Sequence, residues 1–279
     1  MNPERTTIDK WSGAAPFWEK HREIIRQMFA PVTQALMEDG LIHAGHLALD
    51  IATGPGEPAL TIAGRVGPEG KVIGIDPVPE MVEAARRAAE RGGFRNTQFE
   101  VALADQLPFP ADTFDAVVSR FGVMFFPSPL DGVREMLRVL KPGRKIALAV
   151  WDTADRNPFF HTVSRVMERY FDSPPPVPDA PEAFRFANPG KLRDVLSEAG
   201  AMTISERLLQ FAIQAPVSVE DFWSLRLEIS EQLREKAATL SRQQLAEVRR
   251  AALDAFSEYR VDGGMSFPSQ VLIVSGTKP

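Results

Sequence analysis

One stretch limits the fold of this chain more than any other: Leu47-Ala48-Leu49-Asp50-Ile51-Ala52-Thr53-Gly54-Pro55-Gly56-Glu57-Pro58-Ala59. An apolar run ends in a carboxylate, passes through two glycines and continues as a helical pattern, which reads as a strand, a tight turn and a helix. The same alternation continues downstream. Residues 46–52, 71–76, 98–103, 114–119 and 144–151 have the β-branched and apolar content of strands, and 58–66, 79–91 and 130–140 have helical spacing. Such a series builds a parallel sheet covered on both faces, so the expected class is α/β.

The flanking segments differ in texture. Residues 1–45 read as helical, with Trp11, Phe17, Trp18, Ile24, Ile25, Met28 and Phe29 forming an apolar face. Residues 152–189 carry Pro174, Pro175, Pro176, Pro178, Pro181 and Pro189 around one helical piece at 159–170, the texture expected of a lid. A helix at 191–199 and a long strand at 202–213 follow. Ser218 with Asp221 and Ser241 with Gln244 have capping-box spacing and announce two helices before a last strand at 270–276. The expected organisation is a helical cap over 1–45, a βαβ core over 46–151, a lid insertion over 152–189, and the end of the core sheet over 190–279 with a helical insertion at about 215–266.

Composition excludes several activities. With no cysteine among 279 residues, there is no disulfide scaffold, iron–sulfur cluster or cysteine nucleophile. The 32 basic and 37 acidic residues leave a formal charge of −5, and no basic block appears, which disfavours nucleic acid as a partner. No apolar stretch approaches the ~18 residues of a membrane span, and the first residues lack a signal-peptide core, so a cytoplasmic protein is expected. His43 and His46 are three apart without a third ligand in a recognisable pattern, so no metal site is expected.

Taken alone, Gly54-x-Gly56-x-x-Ala59 with Asp76 twenty residues past Gly56 matches a dinucleotide fingerprint, which supports a NAD-dependent oxidoreductase; a plain strand-to-helix turn is the bland alternative. Asp50 bears on the choice of ligand. A carboxylate four residues before Gly54 repels a pyrophosphate at the helix N-terminus, but favours the sulfonium and ammonium of S-adenosylmethionine.

Further runs extend the pattern: Ile73-Gly-Ile-Asp76, Ala104-Asp105-Gln106-Leu-Pro-Phe, Phe114-Asp115-Ala-Val-Val and Arg138-Val-Leu-Lys-Pro-Gly143. In order with the glycine turn, they resemble the successive motifs of class I S-adenosylmethionine-dependent methyltransferases, in particular the small-molecule group that includes ubiquinone and menaquinone C-methyltransferases. The resemblance covers about residues 46–151. It implies a Rossmann-like sheet of seven strands ordered 3-2-1-4-5-7-6, the last antiparallel, with helical cap insertions.

Residue roles follow from the same resemblance. Asp50, Ala52, Gly54 and Gly56 would surround the methionyl end of S-adenosylmethionine, although the family often has glycine where this chain has Ala52. Asp76 would take the ribose hydroxyls, with Pro77 and Met81 near the adenine; Ala104, Asp105 and Gln106 would sit at the adenine edge; Ser119 and Arg120 would border the transferred methyl. A non-catalytic S-adenosylmethionine-binding protein would keep these features too.

Methyl transfer requires alignment of donor and acceptor more than a nucleophilic side chain, and no catalytic residue is assigned. Trp18, Phe121, Phe125 and His161 belong to segments expected to border a small, apolar or aromatic methyl acceptor, with His161 the one base candidate among them. The mixed charges of the late insertion, including Arg226, Arg234, Glu228 and Glu231, read as a solvated helix face whose apolar stripe would cover the lid or a second subunit of a homodimer.

Overall fold

The structure, a computed structural model, describes residues 3–171 and 177–279. Pro174, Pro175 and Pro176 of the expected lid lie outside the described residues. The core strands are β1 (Leu47–Ile51), β2 (Lys71–Asp76), β3 (Thr97–Val101), β4 (Phe114–Arg120), β5 (Leu140–Trp151), β6 (Met202–Ala215), β7 (Arg260–Val261) and β8 (Gly264–Thr277). Their order is β3-β2-β1-β4-β5-β8-β6, with β7 paired only to β8. The expected order is therefore observed once the two-residue β7 is set aside: β8 is the strand expected to be seventh, and it runs antiparallel to both β5 and β6.

Burial explains why the sheet is covered twice. Successive residues of a strand point to opposite faces, and in β1 and β4 nearly all of them are buried. Helices α1 (Pro3–Lys20), α2 (Arg22–Met28) and α3 (Ala30–Asp39) precede the sheet; α4 (Ala59–Val66), α5 (Pro79–Gly92) and α6 (Pro129–Val139) link its strands. Proline at the first position of α5 and the Ser128 hydroxyl accepting from Asp131 N at the start of α6 fix where these helices begin. No described helix is long and apolar enough to cross a membrane.

Beyond β5 come α7 (Pro158–Met167), α8 (Lys191–Glu198), α9 (Val219–Ile229), α10 (Glu231–Thr239) and α11 (Arg242–Phe256). Three helices thus stand where two capping boxes announce two. The extra one, α10, is capped by Ser230, whose hydroxyl accepts from Leu233 N without an acidic or amide side chain returning the bond. Only Ser241 with Gln244 forms the reciprocal box.

The last strand begins at Gly264 rather than 270, and that extension positions the site. Trp151, the final residue of β5, pairs with Val271, so residues 265–270 of β8 continue past it, paired with β6 and, at Met265, also with β7. The β6–β8 arm thereby carries α9–α11 beyond the carboxyl ends of the parallel strands, the edge at which open α/β sheets bind ligands.

Candidate functional site

β1 delivers Asp50 to the glycine turn, fully buried. Its Oδ2 accepts from Ala59 N at 3.1 Å, which caps the start of α4. Its Oδ1, and the Oγ1 of neighbouring Thr53, are buried without a hydrogen-bond partner. Burial pushes the Asp50 carboxyl up to about 7, against the opposing pull of the Arg120 charge and the Ala59 amide.

The turn has left-handed backbone at Ala52 (φ +58°), Gly54 (φ +54°) and Gly56 (φ +105°). A Cβ at Gly56 would sit 3.1 Å from Leu60 and 3.4 Å from Ala85, so this glycine lets the turn settle on α4 and α5. A Cβ at Gly54 would meet nothing within 4 Å, so its outer face is open. The left-handed conformation at Ala52 is one that glycine adopts without the strain a Cβ brings.

Asp76 ends β2 and ties the turn down. Its Oδ2 accepts from Gly54 N at 2.9 Å and its Oδ1 from Val78 N at 3.0 Å. Burial raises its carboxyl to about 6, opposed by those two backbone bonds. Pro77 is half-buried, whereas Met81 is buried against Val78 and Ala15, with Ile8, Trp11 and Trp18 packed around them. Helix α1 therefore lies across the start of α5, anchored by Glu19 to Arg87 at 2.6 Å.

Ala104 and Asp105 are half-buried and Gln106 is exposed in the loop after β3. That loop is held by Glu135, which accepts from Leu107 N, and by Arg138, which donates to the carbonyls of Leu107 and Phe109.

At the end of β4, the buried Ser119 hydroxyl donates to Ile51 O at 2.8 Å and joins the tips of β1 and β4. Arg120 is also buried; it donates to Thr33 Oγ1 at 2.8 Å and Glu57 O at 3.2 Å and lies 5.8 Å from the Phe29 ring centroid. Burial lowers its pKa, and the charges of Glu57 and Asp50 act against that. A Cβ at Gly122 would come within 2.6 Å of both Ala52 Cβ and Ser119 Oγ, so the two turns close on each other only with glycine there. Thr33, Thr53, Glu57 and Gly122 are not singled out by sequence reasoning; the glycine following β4 was the one legible signal among them.

The four residues expected around the acceptor do not share one lining. Phe121 stacks on Trp151 (4.3 Å between centroids, 6° between planes), and both contact Phe29. Phe125 and Trp18 instead meet through Trp11, at 5.3 and 5.6 Å, and Trp18 Nε1 donates to Ile229 O of α9. His161 departs from both groups. It lines a cleft of about 400 Å³ with Asp155, Phe160, Ser164, Arg165, Glu168 and Phe184, adjoining the Phe121–Trp151 stack through the Phe160 ring, whereas neighbouring Phe159 points into the core. Its Nδ1 is buried without a partner, and burial together with the Arg165 charge lowers its pKa.

Residues 48–143 match the family model described as a methyltransferase domain. This part of the chain is similar to methyltransferase domains. It contains Asp50, Ala52, Gly54, Gly56, Asp76, Asp105, Ser119, Arg120, Phe121 and Phe125, whereas Trp18 and His161 lie outside it. Among curated proteins, a ubiquinone/menaquinone biosynthesis C-methyltransferase UbiE of Pseudomonas putida is 34% identical over 133 residues, covering 47% of this chain and 49% of that protein. The chain spans 40% to 61% of the length of the curated relatives compared, about two fifths in most. Among solved structures, the YcgJ protein of Bacillus subtilis superposes with a TM-score of 0.57 at 22% identity, covering 88% of this chain and 97% of that one. The [4+2]-cyclase SpnF superposes with a TM-score of 0.56 at 18% identity over 96% of this chain and 97% of its own. The matched segment thus sits in a Rossmann-like fold that also serves other chemistry, and the chain resembles class I S-adenosylmethionine-dependent methyltransferases of the UbiE type.

Proposed function

We propose that this protein transfers a methyl group from S-adenosylmethionine to a small, largely apolar or aromatic acceptor, at carbon or oxygen. The observation that carries this reading is the pair of unpartnered buried oxygens, Asp50 Oδ1 and Thr53 Oγ1, at the glycine turn of a segment that matches a methyltransferase domain model. A buried polar atom without a partner is costly, and a ligand bearing an ammonium group satisfies both. When bound, S-adenosylmethionine supplies an activated methyl group.

The chain's own residues bind, orient and exclude water. Ionised Asp50 holds the ligand's ammonium, and the amides of the glycine turn receive its carboxylate. Asp76 keeps its two backbone bonds and offers its remaining lone pairs to the ribose hydroxyls, since each carboxylate oxygen can accept twice. Asp105 flanks the adenine. Phe121, stacked on Trp151, forms an apolar wall for the acceptor, and α1 with the described residues 152–171 and 177–189 closes over the site and keeps water from the reacting groups.

Calorimetry tests the reading. S-adenosylhomocysteine should bind the purified protein, and Asp76→Ala should weaken it by at least ~1 kcal/mol through lost hydrogen bonds. No binding heat, or an unchanged affinity in the variant, removes the cofactor assignment. A labelled-methyl screen of small quinones, phenols and polyketides against peptides and nucleic acids then tests the acceptor class.

A further inference from the structure

Among the mixed charges of α9–α11, Arg226 departs from the expected solvated face. It is buried at 4% exposure, and its Nε has no hydrogen-bond partner. Among the described residues no carboxylate forms an ion pair with it. Burial alone lowers its pKa, to about 9, with no neighbouring acid opposing the shift. Arg120, the other buried arginine beside the aromatic rings, by contrast donates to Thr33 and Glu57.

Arg226 lies against two rings: its guanidinium carbon is 4.0 Å from the Phe159 centroid and 5.3 Å from that of Phe160. Cation–π contact offsets only part of the cost of burying an unpaired charge, and leucine or methionine would fill the same space without that cost. The position of the charge gives it a use. Phe160 is 4.8 Å from Trp151, which stacks on Phe121, the first residue past the carboxyl end of β4. One helical turn further along α9, Ile229 accepts the Trp18 indole bond. Arg226 therefore borders the cluster of aromatic rings at the end of the sheet where the acceptor is expected.

We propose that Arg226 anchors a carboxylate on an aromatic or conjugated apolar acceptor, and so selects acids over their neutral analogues. The proposal rests on the methyl-transfer reading for the identity of the bound molecule as an acceptor. A planar guanidinium matches a carboxylate through two parallel hydrogen bonds, and in a site walled by rings that pair is poorly screened. A neutral amide of the same shape leaves the arginine charge unpaired, which is how a polar site rejects an isostere.

The test uses three isosteric pairs at pH 8, with and without saturating S-adenosylhomocysteine: benzoate and benzamide, trans-cinnamate and trans-cinnamide, 2-naphthoate and 2-naphthamide. Binding is read by calorimetry and tryptophan fluorescence. At least one acid should bind tenfold or more tightly than its amide. That preference should fall within twofold in Arg226→Gln and in the volume-matched Arg226→Met, and persist in Arg226→Lys, with folding of each variant checked by circular dichroism. No binding by any of the six, equal binding within every pair, or an undiminished preference in a folded uncharged variant overturns the proposal. Retained S-adenosylhomocysteine binding without charge preference removes the anchor and leaves the methyl-transfer reading. Carboxylate preference without S-adenosylhomocysteine binding keeps the anchor and removes that reading.

Discussion

The buried Asp50 carboxyl should destabilise the ligand-free protein while strengthening ligand binding, and Asp50→Asn separates the two effects. Its carboxyl is raised from 3.8 to about 7 by burial, so the fold favours the protonated form. The stability linked to that proton is fully present below pH 3.8 and is lost as pH rises through about 7. A rise of that size corresponds to about 4 kcal/mol at ~1.4 kcal/mol per pH unit. Asparagine has the same shape, keeps an oxygen for the Ala59 amide and never ionises. Without ligand, the variant should be more stable than the parent by up to about 4 kcal/mol at pH 8, and the difference should vanish near pH 4, as read by urea unfolding. Asp76, raised to about 6, acts in the same sense in both proteins and cancels from the comparison. Binding should move the other way. Between pH 6.5 and 8 the ionised fraction of Asp50 rises about fourfold, so parental affinity for S-adenosylhomocysteine should rise by about the same factor. The variant should bind more weakly and keep only the slight dependence that Asp76 supplies. Equal stability of the two proteins at pH 8, or equal affinity, would refute the reasoning.

Two further outcomes follow from the geometry. Phe121→Ala, which removes the ring stacked on Trp151, should weaken binding of an aromatic acceptor by roughly 1.5–3 kcal/mol while leaving S-adenosylhomocysteine affinity within twofold; unaltered acceptor affinity takes that stack out of the pocket. Helix α1, which covers Val78 and Met81, should exchange its amide hydrogens more slowly with S-adenosylhomocysteine bound, and identical exchange in both states would make α1 part of the scaffold rather than a cover.

Much of the candidate site was legible because it is local. Asp50, Ala52, Gly54 and Gly56 fall within seven consecutive residues, so a strand followed by a tight turn brings them together whatever the rest of the chain does. Asp76 needed one more step, since β1 and β2 pair in parallel and place its carboxylate beside Gly54 N. Other residues were legible in type but not in place. Trp18, Phe121, Phe125 and His161 are suitable pocket residues, yet they distribute among three environments, because an aromatic side chain does not encode which helix covers it.

By itself the sequence determined the α/β class, the strand-turn-helix at residue 50 and the carboxylates at the ends of β1 and β2, all of which depend on short-range spacing and residue type. Only the tertiary structure decided that Thr33 and Glu57 occupy Arg120, that α10 exists as a separate helix, that β8 begins at Gly264, and that Arg226 is buried on aromatic rings rather than solvated with its neighbours. The physical reason is common to the first and last of these: the environment of a charged side chain is set by segments far away in sequence. Phe159 and Phe160 reach Arg226 from α7, and no local pattern around residue 226 records that contact.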